Sequence, residues 1–280
     1  MSTRILPAAD GPDNLPIHDS RPVILLGRGG GGTRLLSEFV QGQGVFLGSE
    51  INKSFDSVEW VETIYPIAIE MLSATVPPDA ARRSAHVARL HARAEEVLAR
   101  AGLDSRAYWG WKLPETTLVC DIAKQAFPKA QFVHLVRHPV RASLRRTHMT
   151  SRMNNPIGRA ALPAAYAHLG RDPALIETDS PVINNAHGWR HHVDLMARCF
   201  DGDPALHVVR FEDTLTRPSE TADALAAFLH RAPPPDAPPL APDPERAEPI
   251  TLDRDDAHRV WDICGARAEG FGYTLDEVLD

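Results

Sequence analysis

The chain has 280 residues, 43% hydrophobic and 24% charged, with a formal net charge of −7 at pH 7. That length suits one α/β unit with a substantial core, no apolar run approaches the ~18 residues of a membrane span, and the negative balance excludes a general nucleic-acid binder, whose phosphate affinity needs an excess of Lys and Arg. Three scattered cysteines, Cys120, Cys199 and Cys264, form no CxxC pair, and with no secretory pattern at the start of the chain they point to reduced thiols in the cytoplasm.

Residues 1–20 carry Pro, Asp and Gly without periodicity and read as a flexible tail, with a single domain over 21–280. Val23 to Leu26 is a short continuous apolar run, the pattern of a strand buried on both faces of a parallel sheet. After a run of glycines, Leu35, Leu36, Phe39 and Val40 recur at helical spacing, and Gly42 and Gly44 close that helix. Residues 45–49, VFLGS, suggest a second short strand, and 64–73 a helix. RRSAHVARLHARAEEVLARAG predicts an amphipathic helix with Val87, Leu90, Ala94, Val97 and Leu98 on one face and solvated arginines around the rest.

FVHLV at 132–136 reads as another buried parallel strand with Arg137 at its carboxyl end, and Pro139 opens a helix running to about 148. Residues 150–185 read as irregular, with NNP, GRDP, TDSP and NNAHG as turn signals. A helix at about 187–200 follows, then a strand in LHVVRFEDT ending at Glu212-Asp213, then a helix from Pro218 to Leu229. Residues 232–249 hold eight prolines in eighteen positions and read as an extended connector. A last helix, about 253–268, precedes GFGY.

The loop VILLGRGGGGTRLL, 23–36, places five glycines within six positions between a strand and a helix. A tight crossover explains one or two of them. Gly27, Gly29 and Gly32 satisfy GxGxxG, and Glu50 lies where an acidic residue would bind a ribose, which fits an NAD(P)-dependent oxidoreductase. Gly27 to Gly32 also has P-loop spacing, but Thr33-Arg34 stands where Lys-Ser/Thr would follow, and no Walker-B aspartate is evident, which argues against a kinase.

The rest of the chain bears on that choice. The order GRGGGGTRLL, WGWKLPE, FPKAQFVHLVRHPVRAS and FED with a following PSET helix resembles the bacterial-type sulfotransferases that use 3′-phosphoadenosine-5′-phosphosulfate, over roughly residues 22–280. The resemblance implies a three-layer α/β, P-loop-like nucleotide-binding fold: a mostly parallel sheet with helices on both faces and the donor across the carboxyl ends of the strands. It implies that Arg28, Gly29, Gly30, Gly31, Gly32, Thr33 and Arg34 hold the 5′-phosphosulfate, and that Arg137 and Ser143 hold the 3′-phosphate. Lys112 resembles the family's central lysine, and Lys112 and Arg28 would stabilise charge on the transferred group, with no metal required. The chain departs from the family pattern in three places. Ser143 stands six residues after Arg137 rather than eight; Gly30 and Gly31 occupy the places of a basic residue and a serine; and Pro114 stands where a histidine base is usual. The general base is therefore expected to be Glu50, with Glu115 as second choice and His134, His138, His148, His187, His191 and His192 as further candidates. The acceptor would be a hydroxyl or amine of a small molecule or glycan, walled by residues 45–80 and 150–190. A catalytically weak nucleotide-binding protein of the same fold is the remaining alternative. His191 and His192 read as structural, and no HExxH pattern points to a metal.

Overall fold

The computed structural model of the chain describes residues 15–145, 148–231, 240 and 253–279. Its strands are β1 (Val23–Leu26), β2 (Gly110–Lys112), β3 (Gln131–Val136) and β4 (Leu206–Arg210), all parallel, in the order β2-β1-β3-β4. The helices are α1 (Thr33–Gly42), α2 (Val61–Ser73), α3 (Ala80–Arg100), α4 (Cys120–Ala126), α5 (Pro139–Ser143), α6 (Pro156–His168), α7 (Pro181–Phe200), α8 (Phe211–Thr216), α9 (Pro218–Phe228), α10 (Arg254–Ala268) and α11 (Asp276–Leu279).

The continuous apolar runs of β1 and β3 are explained by burial on both sides, because alternate side chains serve different layers. Val23, Leu25, Val133, Leu135 and Val209 pack with Leu36, Phe39 and Val40 of α1 and Leu225 of α9. Ile24, Leu26, Trp111 and Phe132 meet residues of α2, α3, α4 and α7 on the opposite face. The result is a three-layer α/β fold with helices on both faces of the sheet. A third cluster, including Val136, Val140, Trp189, Val260 and Tyr273, joins α5, α7 and α10 beyond the end of β3.

From β1 the chain goes to β2 on one side and then passes back to β3 on the other. The carboxyl ends of β1 and β3 therefore flank the topological switch point, where parallel sheets of this kind form a crevice. The glycine loop leaves β1 there and Arg137 leaves β3 there.

Several expectations are corrected. Residues 45–49 contribute only a single bridge, Phe46 to Trp109, and the strand beside β1 is β2 instead. The sequence WGWK hides a strand because Gly and Lys break the apolar run. Gly110 is needed where it stands, since a Cβ would lie 1.8 Å from the Val23 carbonyl oxygen. Residues 150–185 are not irregular. Asn155 and Ser180, read as turn residues, cap α6 and α7 with their side chains, and Pro156 and Pro181 occupy the first helical turn. The helix from Pro139 ends at Ser143 rather than near 148, and β4 ends at Arg210, so Glu212 and Asp213 lie in α8. Of residues 1–20, read as a tail, 1–14 lie outside the described residues, and Ile17 is buried in the 3-10 turn Ile17–Asp19. The proline-rich stretch 232–249 lies outside the described residues except Leu240, which is buried. Among the described residues no helix is long and apolar enough to cross a membrane.

Candidate active site

The glycine loop is shaped by its backbone. Gly27, Gly30 and Gly32 have φ of 140°, 82° and 109°, a region side-chain-bearing residues avoid. A Cβ on Gly32 would lie 2.4 Å from the Phe211 ring, and one on Gly29 would lie 2.0 Å from the His148 ring. The Gly27 N–H donates to Thr117 Oγ1 at 3.2 Å. Gly32 caps α1 without a side chain, so the first-turn N–H groups of that helix meet no capping side chain.

Two arginines flank this loop. Arg28 is only 6% exposed. Its Nη2 donates to Ser151 Oγ at 2.9 Å and to Asn185 Oδ1 at 2.5 Å, while its Nε is buried without a hydrogen-bond partner. Arg137 lies 4.1 Å over the Phe211 ring, and its Nε is likewise buried and unpartnered. Ser143 Oγ, at the end of α5, is a third orphaned polar atom. Among the described residues neither arginine forms an ion pair. A narrow crevice lined by Arg28, Gly31, His134, Arg137, Trp189 and His192 runs between them.

Behind Arg137 a set of hydrogen bonds holds the turn in place. Glu212 Oε1 accepts the His138 N–H at 3.1 Å, and its Oε2 lies 2.7 Å from the Tyr273 hydroxyl. His138 Nδ1 accepts the Val140 N–H and its Nε2 faces the Thr274 carbonyl at 2.9 Å. The motifs RHP, FED and GFGY are thus one device that fixes the carboxyl end of β3.

On the other side of the loop, Lys112 at the end of β2 is 1% exposed. Its Nζ contacts Asp56 Oδ1 at 2.5 Å and the Ser54 carbonyl at 2.7 Å. Glu115, in the 3-10 turn Pro114–Val119, is fully buried; neither carboxyl oxygen has a hydrogen bond of good geometry, and the Tyr65 hydroxyl is the polar side-chain group that faces it. His148 Nε2 lies 3.6 Å from Glu115 Oε1. Its Nδ1 lies 3.1 Å from Thr150 Oγ1 and 3.4 Å from the Thr150 backbone nitrogen.

The chain matches the sulfotransferase family over residues 55–234, well over half its length. It belongs to that family. Among solved structures this sulfotransferase is similar to the sulfotransferase domain from the curacin biosynthetic pathway, with 15% identity, 91% of this chain and 99% of that one covered, and a TM-score of 0.47. The sulfotransferase domain from the Synechococcus PCC 7002 olefin synthase gives 16%, 95%, 98% and 0.47. A sulfotransferase from Alicyclobacillus acidocaldarius gives 13%, 90%, 96% and 0.49. No curated protein matches the chain.

Burial sets the charge states of this sulfotransferase's site. Desolvation lowers both arginines to about 10, still cationic at neutral pH. It raises Glu115 to about 7, with Asp56 adding to the rise and Lys112 opposing it. It lowers His148 to about 3, helped by Arg28 and Lys112, so this histidine is neutral and a poor base at neutral pH. Desolvation also lowers Lys112, against the pull of Asp56.

Arg28, the glycines, Thr33, Lys112, Arg137 and Ser143 all lie at the carboxyl ends of β1, β2 and β3. Arg34 sits at the rim, half-exposed, paired with Glu38 at 3.2 Å and lying over Phe55. Glu50 is not brought to the crevice: its side chain is 63% exposed and its carboxylate lies 3.9 Å from Arg100. No strand ends at Glu50, so the ribose contact of the oxidoreductase reading has no support. Asn185 and Ser151 are the site residues that sequence reasoning missed, while His148 was one of several histidines considered as a base. NNAHG was read as a turn, whereas Asn185 is buried on α7 facing Arg28. No local pattern flags Ser151, since Arg28 lies 123 positions away.

Proposed function

We propose that the crevice binds 3′-phosphoadenosine-5′-phosphosulfate and that the enzyme moves its sulfuryl group to a hydroxyl or amine of a small-molecule or glycan acceptor. The observation that carries this reading is the pair of buried, unpaired guanidinium groups, Arg28 and Arg137, on either side of the glycine loop. A buried cation without a counter-charge costs several kcal/mol, and an anionic ligand offsets that cost. The orphaned Nε atoms and Ser143 Oγ fit a ligand with two separate anions. When bound, the donor supplies a sulfuryl group attached to a phosphate leaving group. The loop N–H groups and the positive end of α1 hold the 5′ anion, and Arg28 and Lys112 stabilise charge growing on the leaving oxygen. Arg137 and Ser143 hold the 3′-phosphate. Glu115, rather than Glu50, takes the proton from the acceptor: it is buried beside Lys112, and a pKa near 7 suits a general base at neutral pH.

The test is calorimetry with 3′,5′-adenosine bisphosphate, adenosine 5′-monophosphate and NADH. Tightest binding of the bisphosphate, with no NADH binding, is expected. NADH binding in preference to the bisphosphate would overturn the reading. A screen of hydroxyl and amine compounds with the phosphosulfate donor then identifies the acceptor class.

A further inference from the structure

Arg28 is anchored by neutral groups only, Ser151 and Asn185, and the two anchors differ in reach. Ser151 Oγ contacts Arg28. Asn185 does more: while its Oδ1 accepts from Arg28, its Nδ2 donates to the carbonyl oxygens of Ser143 at 2.9 Å and Arg145 at 3.3 Å. The amide orientation follows from chemistry, because a guanidinium only donates and a carbonyl only accepts. Asn185 is 1% exposed and sits in the long, capped α7, whose register the Ser180 side chain and Pro181 fix at its start. One rigid side chain therefore ties the cation of the glycine loop to the last turn of α5, which carries Ser143 and follows Arg137.

We propose that Asn185 is a positioning residue that sets the separation of the two anion sites, so that the crevice favours a ligand with two anions over a ligand with one. This rests on the donor reading above. An aspartate would not serve. Its charge would neutralise Arg28, and its second oxygen would face two carbonyl oxygens instead of donating to them. The choice of an amide leaves Arg28 cationic for the ligand while fixing both partners.

The experiment compares the dissociation constants of 3′,5′-adenosine bisphosphate and adenosine 5′-monophosphate for wild type, Asn185→Ala and Ser151→Ala, with thermal melts of each. Ser151→Ala releases Arg28 alone, so it weakens both ligands by the same factor, about 5–10-fold. Asn185→Ala loosens both sites and weakens the monophosphate about 10-fold but the bisphosphate about 100-fold. A merely structural role for Asn185 would weaken both ligands equally. Equal factors in Asn185→Ala, or bisphosphate binding unchanged within twofold, would overturn the proposal. If Asn185→Ala does not fold, Asn185→Asp serves in its place: the preference for the bisphosphate is again expected to shrink, and a wild-type preference overturns the proposal. Wild-type protein that binds the bisphosphate no more tightly than the monophosphate is a different result, which removes the donor reading and this inference with it.

Discussion

Glu115 illustrates how burial turns an ordinary residue type into a reactive one. In sequence it is one glutamate in KLPETT; in the fold it is fully buried, with a pKa raised to about 7 by desolvation. Turnover should rise with pH around an apparent midpoint near 7, and Glu115→Gln should lower it by roughly 10²–10⁴ without weakening bisphosphate binding. Stability supplies an independent check. Because the folded pKa lies above the unfolded value, the folded state holds a proton that the unfolded state loses, and this contribution is complete below about pH 4 and lost as pH rises to 7. Glu115→Gln should therefore be more stable than wild type at pH 8, on the order of 2 kcal/mol, and equal to it near pH 4; chemical denaturation at the two pH values reads this directly. At the proposed 3′-phosphate site, Arg137→Ala should weaken the bisphosphate by about 2–3 kcal/mol and leave the monophosphate nearly unchanged. Equal losses for both ligands would remove the 3′-phosphate assignment.

The loop and helix elements show why some motifs were readable and others were not. Glycines between an apolar run and an amphipathic helix are a local pattern, and the loop lies where that pattern predicts. Gly32 pays for its position only in context: its φ is 109° and the Phe211 ring fills the space a Cβ would need. Gly32→Ala should lower stability by about 2–4 kcal/mol and weaken bisphosphate binding, both visible in melts with and without ligand. Phe211 and Glu212 belong to the FED motif, legible only as a late landmark; the structure shows Phe211 between Gly32 and Arg137 and Glu212 bonded to the RHP turn. The helices α6 and the first turns of α7 were missed because their caps, Asn155 and Ser180, and their first-turn prolines use the same residues as turns do.

Across the whole molecule, α6, α7 and α10 are tied together at one buried carboxylate. Asp194 on α7 contacts His168 at 2.8 Å, Arg190 at 2.8 Å and Arg267 at 2.6 Å. Burial by itself would raise its pKa, but hydrogen bonds from His168, Arg190 and Arg267 outweigh that and hold it low. A depressed folded pKa gives stability that is present above the unfolded value, about 3.9, and lost as pH falls through the folded one. Asp194→Asn should cost about 1–2 kcal/mol at pH 7 by leaving the partly exposed Arg190 and Arg267 without their counter-charge, and the gap from wild type should close as pH falls into the acid range; a constant gap across pH would show that packing, not charge, is responsible. The same α7 carries Asn185 and Trp189 into the crevice, so its docking also shapes the site. The sequence by itself determined the parallel α/β architecture, the glycine loop after β1 and the cation at the end of β3, because each is written in a short stretch of chain by apolar run, glycine or proline. Only the tertiary structure decided that Glu50 faces Arg100 and solvent while Glu115 is buried beside Lys112, and that Asn185 holds Arg28 from 157 positions away. Desolvation and hydrogen bonding at such separations are properties of the packed layers, and no local pattern of residues encodes them.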